Sequence, residues 1–226
     1  MELGALIFDV FGTCVDWRGS VAREVAVAIP SVDAFAFADA WRAEYQPAME
    51  RIRSGGRGYV ALDDLHRENL EIVLDRFGVT CPDPAQLARA WERLAPWPDT
   101  VPGLAAMREK RIVAPCSNGS IALMTRLARH AGLPWDCILG AEIARDYKPK
   151  PQVYLAACAA LRLSPDRVMM VAAHNDDLHA ARAAGLRTAF VARPTEHGAG
   201  QVTDLEPDAA WDANATDFNA LADALP

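Results

Sequence analysis

Three apolar runs in this chain end on a polar residue of a reactive kind: Asp9 after Leu6-Ile7-Phe8, Ser117 after the run that begins Ile112-Val113-Ala114, and Asp177 just beyond Val168 to Ala173. Lys148 lies between the last two. Two carboxylates, a hydroxyl and an ammonium facing one small pocket read as an enzyme. The ammonium would keep a neighbouring carboxylate ionised and attract an anionic substrate. The groups must first meet, and a parallel α/β sheet brings them together. Ligands of such sheets bind outside the carboxyl ends of the strands, at the point where strand order reverses.

The surrounding pattern supplies such a sheet. Residues 5 to 10 are a short apolar run before Gly12, as expected of a buried parallel strand. From about Trp17 to Trp97 the spacing is helical, with Leu62, Leu65, Ile72, Val73 and Phe77 on one face and a Ser54-Gly55-Gly56-Arg57-Gly58 break before it. Strand and helix then alternate: Ile112 to Cys116, a helix with Ile121, Met124, Leu127 and Ala131 on one face, Cys137 to Gly140, a helix from about Pro151 to Leu161, Val168 to Ala173, a helix ending at Gly185, and Thr188 to Ala192. Arg193 to Asp204 is expected to be a long surface loop, followed by a closing segment near Trp211 and a last short helix. The fold class is thus α/β, a Rossmann-like parallel core over residues 1–15 and 98–226 with an all-helical insertion over 16–97.

The 226 residues are 51% hydrophobic, enough for a packed core, and the net charge of -7 with scattered Lys and Arg argues against a nucleic-acid partner. Five cysteines, odd in number and without a C-x-x-C pair, suggest a reducing compartment. No basic leader is evident at the start, and no apolar stretch approaches the roughly 18 residues of a membrane span. A cytoplasmic protein without a membrane partner is the expectation.

In Phe8-Asp9-Val10-Phe11-Gly12-Thr13, Gly12 permits a tight turn that aims backbone N–H groups inward, with the Thr13 hydroxyl as a further donor. This segment resembles the first motif of the haloacid dehalogenase superfamily, whose Asp is a covalent nucleophile, and the other motifs follow in order over nearly the whole chain. The resemblance implies the fold of that superfamily, with the helical insertion as a cap. Its large phosphatase branch carries a second acid two residues after the nucleophile, where this chain has Phe11, and a metal-binding Asp where it has Ala173. A departing halide needs donors rather than a proton, so both losses fit carbon–halogen cleavage better than phosphate ester cleavage.

By similarity to the L-2-haloacid dehalogenases, Ser117 grips the substrate carboxylate and Asn118 helps cradle the halide. Lys148, in a turn stiffened by Pro149 and Pro151, is selected over Lys150 by its family spacing to Tyr154, which is taken as a substrate-side residue. Asp177 matches the last acidic motif and steadies Lys148 or handles water. Asp176 or Asn175 is available to cap the helix, with Asn175 and His174 also placed among the substrate contacts. Arg42, after Trp41 in the insertion, is implied to receive the halide, a task suited to an always-charged planar donor. Trp17, Tyr45 and Tyr59 are candidates for the wall or for plain core.

These residues imply hydrolysis of short L-2-haloalkanoic acids through an ester on Asp9, without metal or organic cofactor and with a small haloacid as partner. His174, a strong donor, raises the hypothesis that fluoroacetate is also a substrate. The alternative is a metal-dependent phosphatase of the same superfamily using Asp9 and the Asp176/Asp177 pair. A homodimer is expected from the family.

Overall fold

The computed structural model describes residues 2–225; Met1 and Pro226, the outer ends of the expected core, lie outside the described residues. The chain opens with β1 (Ala5–Phe8), buried at every position, as a central parallel strand must be. It passes through β2 (Val15–Asp16) into α1 (Trp17–Ala28), α2 (Ala34–Ala43), α3 (Tyr45–Arg53), α4 (Leu62–Phe77) and α5 (Pro84–Ala88), and returns through a 3-10 turn and β3 (Ala95–Pro96). β2 and β3 pair antiparallel, Val15 opposite Pro96, so the insertion leaves and re-enters at one place.

Alternation then begins: α6 (Thr100–Arg108), β4 (Ile112–Ser117), α7 (Ile121–Ala131), β5 (Leu139–Gly140), α8 (Ala141–Ala144), α9 (Pro151–Leu161), β6 (Val168–Ala172), α10 (Asn175–Ala183), β7 (Arg187–Val191), β8 (Ala213–Ala215) and α11 (Phe218–Ala224). Six of the strands form one parallel sheet in the order β5-β4-β1-β6-β7-β8. β1 lies at its centre, with Phe8 opposite Pro115 on one side and Val171 on the other. The residues that follow these three therefore emerge together, at the point where strand order reverses.

Local chemistry explains the element ends. Asp33 starts α2 by accepting from the N–H groups of Phe35 and Ala36, and Ser120 starts α7 by accepting from that of Leu123. Gly132 ends α7 in the left-handed region that glycine adopts without a Cβ penalty. Two expected core positions are corrected. Ile72 and Ile121 face solvent, and Leu70, Leu74 and Leu123 are buried in their helices, because apolar residues adjoin on both sides of each stripe and only one phase can pack.

Alternate residues of β1 feed two apolar layers. Ala5 and Ile7 pack with Val153, Tyr154, Leu178 and Phe190 on one face. Leu6 and Phe8 pack on the other with Val113, Val171 and Phe218, and that layer runs on without a break into Trp17, Trp41, Leu65 and Trp91 of the insertion. Sheet and insertion thus share one core. Among the described residues no helix is long and apolar enough to cross a membrane.

Candidate active site

Asp9 sits just past β1, its N–H donating to Val171 at 3.0 Å, with its side chain almost wholly buried. Its two oxygens are served unequally. Oδ1 accepts from Lys148 Nζ at 2.8 Å, whereas Oδ2 accepts from the Thr13 hydroxyl at 2.8 Å and lies 3.2 Å from His174 Nδ1. Burial alone would raise the pKa of Asp9. The Lys148 charge and the His174 hydrogen bond outweigh it, so the carboxyl is held well below the usual range and is ionised at neutral pH.

Lys148 comes from the turn before α9, and its ammonium also binds Asp177 Oδ2. Burial would lower its pKa, but Asp177 and Asp9 together hold it above the ordinary value. Asp177, in the first turn of α10, accepts on its other oxygen from the Tyr154 hydroxyl. For Asp177 burial dominates, and with the Asp9 charge nearby its pKa is raised. The insertion touches this turn directly, since Arg53 Nη1 donates to the Lys148 carbonyl at 2.9 Å and Tyr147 donates to the Val60 carbonyl at 2.6 Å. Lys150 instead stands at the N-cap of α9, outside the cavity.

A cavity of about 510 Å³ opens over Asp9, lined from below by Asn118, Lys148, His174 and Asp177 and from the insertion by Arg42, Tyr45 and Arg53. The Arg42 guanidinium lies 4.0 Å from the centre of the Tyr45 ring, 5.4 Å from that of Trp17 and 5.9 Å from that of Phe11. Its Nη1 is buried without a hydrogen-bond partner. A cation walled by aromatic faces and short of an acceptor is a prepared anion site. Asn118 accepts on Oδ1 from the Lys148 N–H at 2.8 Å, which turns its amide NH₂ away from Lys148 and leaves it to donate.

Four expected contacts are revised. Thr13 does not offer its hydroxyl to a ligand: the group donates to Asp9 and accepts from the Ala173 N–H at 2.9 Å, which fixes the carboxylate to the end of β6. Tyr154 is wholly buried and acts on Asp177. Ser117 is also wholly buried, its Oγ accepting from the Gly119 N–H at 3.1 Å, so it shapes the end of β4 without lining the cavity. Asn175 uses its whole side-chain amide on the segment after β7, donating to Asp204 and the Glu206 carbonyl and accepting from the Asp208 N–H and Trp211. Neither Asn175 nor Asp176 caps α10 with its side chain; Asp204 accepts from the Asn175 N–H instead.

Residues Arg193 to Asp204 are not a plain surface loop. Arg193 is buried, donates to the Thr13 carbonyl at 2.8 Å and forms a two-pronged ion pair with Asp99. Three residues on, Glu196 enters the cavity wall, accepting from Trp17 Nε1 at 2.9 Å and standing 2.9 Å from His174 Nε2. Nothing in a single sequence marks this Glu, which sits in a polar, Gly- and Thr-containing stretch 22 residues from its His. Gly12 carries the one local trace, because a Cβ there would fall 2.1 Å from Glu196 Oε1. Among the described residues no three His, Cys, Asp or Glu side chains are grouped to hold a metal ion.

A family model of haloacid dehalogenase-like hydrolases matches residues 3–185. The (S)-2-haloacid dehalogenase of Xanthobacter autotrophicus is 30% identical over 195 residues, covering 84% of this chain and 75% of its own length. Among solved structures, a defluorinating L-2-haloacid dehalogenase is 50% identical with a TM-score of 0.97, over 99% of this chain and 95% of that one. The Xanthobacter autotrophicus L-2-haloacid dehalogenase with chloropropionic acid covalently bound is 25% identical with a TM-score of 0.84, over 98% of both chains. The chain belongs to the haloacid dehalogenase-like hydrolases and, within them, to the L-2-haloacid dehalogenases, which are hydrolases of carbon–halogen bonds.

Proposed function

We propose that this chain hydrolyses short L-2-haloalkanoic acids to D-2-hydroxy acids through a covalent ester on Asp9. One juxtaposition carries the reading: an ionised, buried carboxylate and an unpaired guanidinium line the same small cavity. Asp9 attacks the alpha carbon in line, and Arg42 with the Asn118 amide receives the halide as its charge grows. Backbone amides at the end of β4 hold the substrate carboxylate, in a turn set by Ser117. Lys148 keeps Asp9 anionic, and Asp177 anchors Lys148 and takes a proton from the water that cleaves the ester. Residues 16–97 act as the cap that brings Arg42 over a core of residues 1–15 and 98–226.

Fluoroacetate belongs to the substrate range in this reading, supported by the defluorinating relative and by the buried Arg42 Nη1, a charged donor left without an acceptor. Fluoride release no faster than in a no-enzyme control would remove that part. The main test is a single turnover of 2-chloropropionate in oxygen-18 water, followed by mass analysis of the peptide holding Asp9. Label in Asp9 and none in the first product supports the ester. Label entering product directly, or halide release that survives Asp9→Asn, refutes it. The family assembly carried over here is a homodimer, and a monomer mass by light scattering would overturn that.

A further inference from the structure

His174 lies between two carboxylates. Its Nδ1 is 3.2 Å from Asp9 Oδ2 and its Nε2 is 2.9 Å from Glu196 Oε2. An ionised carboxylate can only accept, so a carboxylate facing each ring nitrogen favours the imidazolium over the neutral ring. Glu196 is 2% exposed and rigidly placed, with Trp17 on its other oxygen and Arg193 pinning the segment three residues earlier. It also lies beyond residues 3–185, outside the span matched by the family model.

The hydrogen bonds on Asp9 distinguish its oxygens. Oδ2 already has two donors, which fill the lone pairs of a carbonyl oxygen, while Oδ1 has one. Oδ1 is therefore the attacking atom, and Oδ2 becomes the ester carbonyl. Resting on the ester reading above, we propose that Glu196 is a positioning residue that holds His174 doubly protonated and aimed at Asp9. His174 and Thr13 then form the donor pair for the oxyanion that develops on Oδ2 when water cleaves the ester.

In that step water adds to Cγ and passes one proton to Asp177, and the C=Oδ2 electron pair moves onto Oδ2. Collapse re-forms the double bond and breaks Cγ–Oδ1, the departing alkoxide takes the proton from Asp177, and the regenerated Asp9 carboxyl loses its remaining proton to solvent. The donors act where charge accumulates. Burial opposes the charge on His174, but Glu196 and Asp9 overcome it and keep its pKa well above the ordinary value. Beyond these two contacts, His197 lies 3.6 Å from Glu196 Oε1, and the same cavity carries Arg42, Lys148, Asp176, Asp177 and Asp204.

The experiment is rapid-quench kinetics with 2-chloropropionate, reading halide, hydroxy acid and the mass of the protein–substrate ester in the same samples. In Glu196→Gln, halide appears at close to the native rate in the first turnover. Ester hydrolysis slows roughly tenfold, because a charge-assisted donor becomes a neutral one, and the ester accumulates. Glu196→Asp recovers part of the loss. His174→Gln, which supplies an amide near Nε2 but nothing at Nδ1, slows hydrolysis by ~10²-fold and also decides the matter should the Glu196 variants not fold. Equal slowing of halide release and hydrolysis, or no ester build-up in either variant, overturns the proposal and leaves Glu196 as packing. A native protein whose Asp9 gains no label during turnover in oxygen-18 water refutes the underlying mechanism instead.

Discussion

Arg42→Met separates what the guanidinium does for folding from what it does for chemistry. The substitution keeps an unbranched apolar side chain against Tyr45, Trp17 and Phe11 and removes the charge. Losing three cation–π contacts costs about 1.5–3 kcal/mol at about 0.5–1 kcal/mol each. Removing the buried, unpartnered Nη1 returns about 1–3 kcal/mol, the cost of leaving such a donor unsatisfied. The two nearly cancel, so the thermal midpoint should move by only a few degrees. Chemistry has no such compensation. A donor facing charge that exists only in the transition state is worth about 2.7–4 kcal/mol, or ~10²–10³ in rate. The assay is first-turnover halide release from 2-chloropropionate beside a melting curve on the same preparation, repeated with the bromo acid. The loss should be smaller for bromide, the easier leaving group. A variant that melts like the native protein and releases chloride at the native rate would refute the assignment of Arg42. A large drop in melting temperature with activity retained would show that the residue is structural.

Lys148→Met removes the largest influence that lowers the Asp9 pKa and leaves burial less opposed. First-turnover halide release, flat with pH in the native protein from about pH 5 upward, should then rise with pH toward neutrality; superimposable profiles would contradict the pairing. His174 titrates in the folded protein well above its ordinary 6.5, so the stability it contributes is full below that value and is lost as pH climbs through the raised one. Urea midpoints should accordingly decline on the alkaline side in the native protein and decline less in His174→Gln. Asn175→Ala breaks four hydrogen bonds to the segment that follows β7 and should destabilise the fold by ~2–4 kcal/mol. Because the side chain does not line the cavity, halide release per folded molecule should stay within about threefold; a selective loss of activity would restore Asn175 to the substrate contacts.

The strands were legible because burial on both faces leaves a plain mark, a run such as Leu6-Ile7-Phe8 with no polar interruption before Asp9. Helix phase was less legible. Ile72 and Ile121 are apolar at helical spacing yet exposed, since adjacent apolar residues allow two registers and packing chooses between them. In the site, residues placed by strand ends were legible as a set: Asp9, Lys148 and Asp177 meet within hydrogen-bond reach. Which hydroxyl or amide faces the ligand was not. Thr13, Tyr154 and Asn175 all belong to motifs, and all three spend their polar atoms holding other residues. Glu196 was not legible at all, because its partners are Trp17, 179 residues away, and His174, 22 residues away, and only the folded chain brings them together.

The two positions that depart from the phosphatase pattern fit the proposed halide site. Phe11, in place of an acid, packs edge-on against Tyr45 and Trp91 and closes the aromatic wall around Arg42. A carboxylate there would pair with the guanidinium and cancel the charge that the leaving group needs, whereas rings leave it unpaired and lower the local dielectric. Ala173, in place of a second acid, contributes only its N–H, which holds the Thr13 hydroxyl on Asp9 Oδ2. The acid of the phosphatase pattern at Phe11 is thus replaced by an apolar wall, and its metal-binding acid at Ala173 by a fixed donor. Restoring an acid at Phe11 should therefore weaken halide release by giving Arg42 an internal counter-ion, before any question of ester hydrolysis arises.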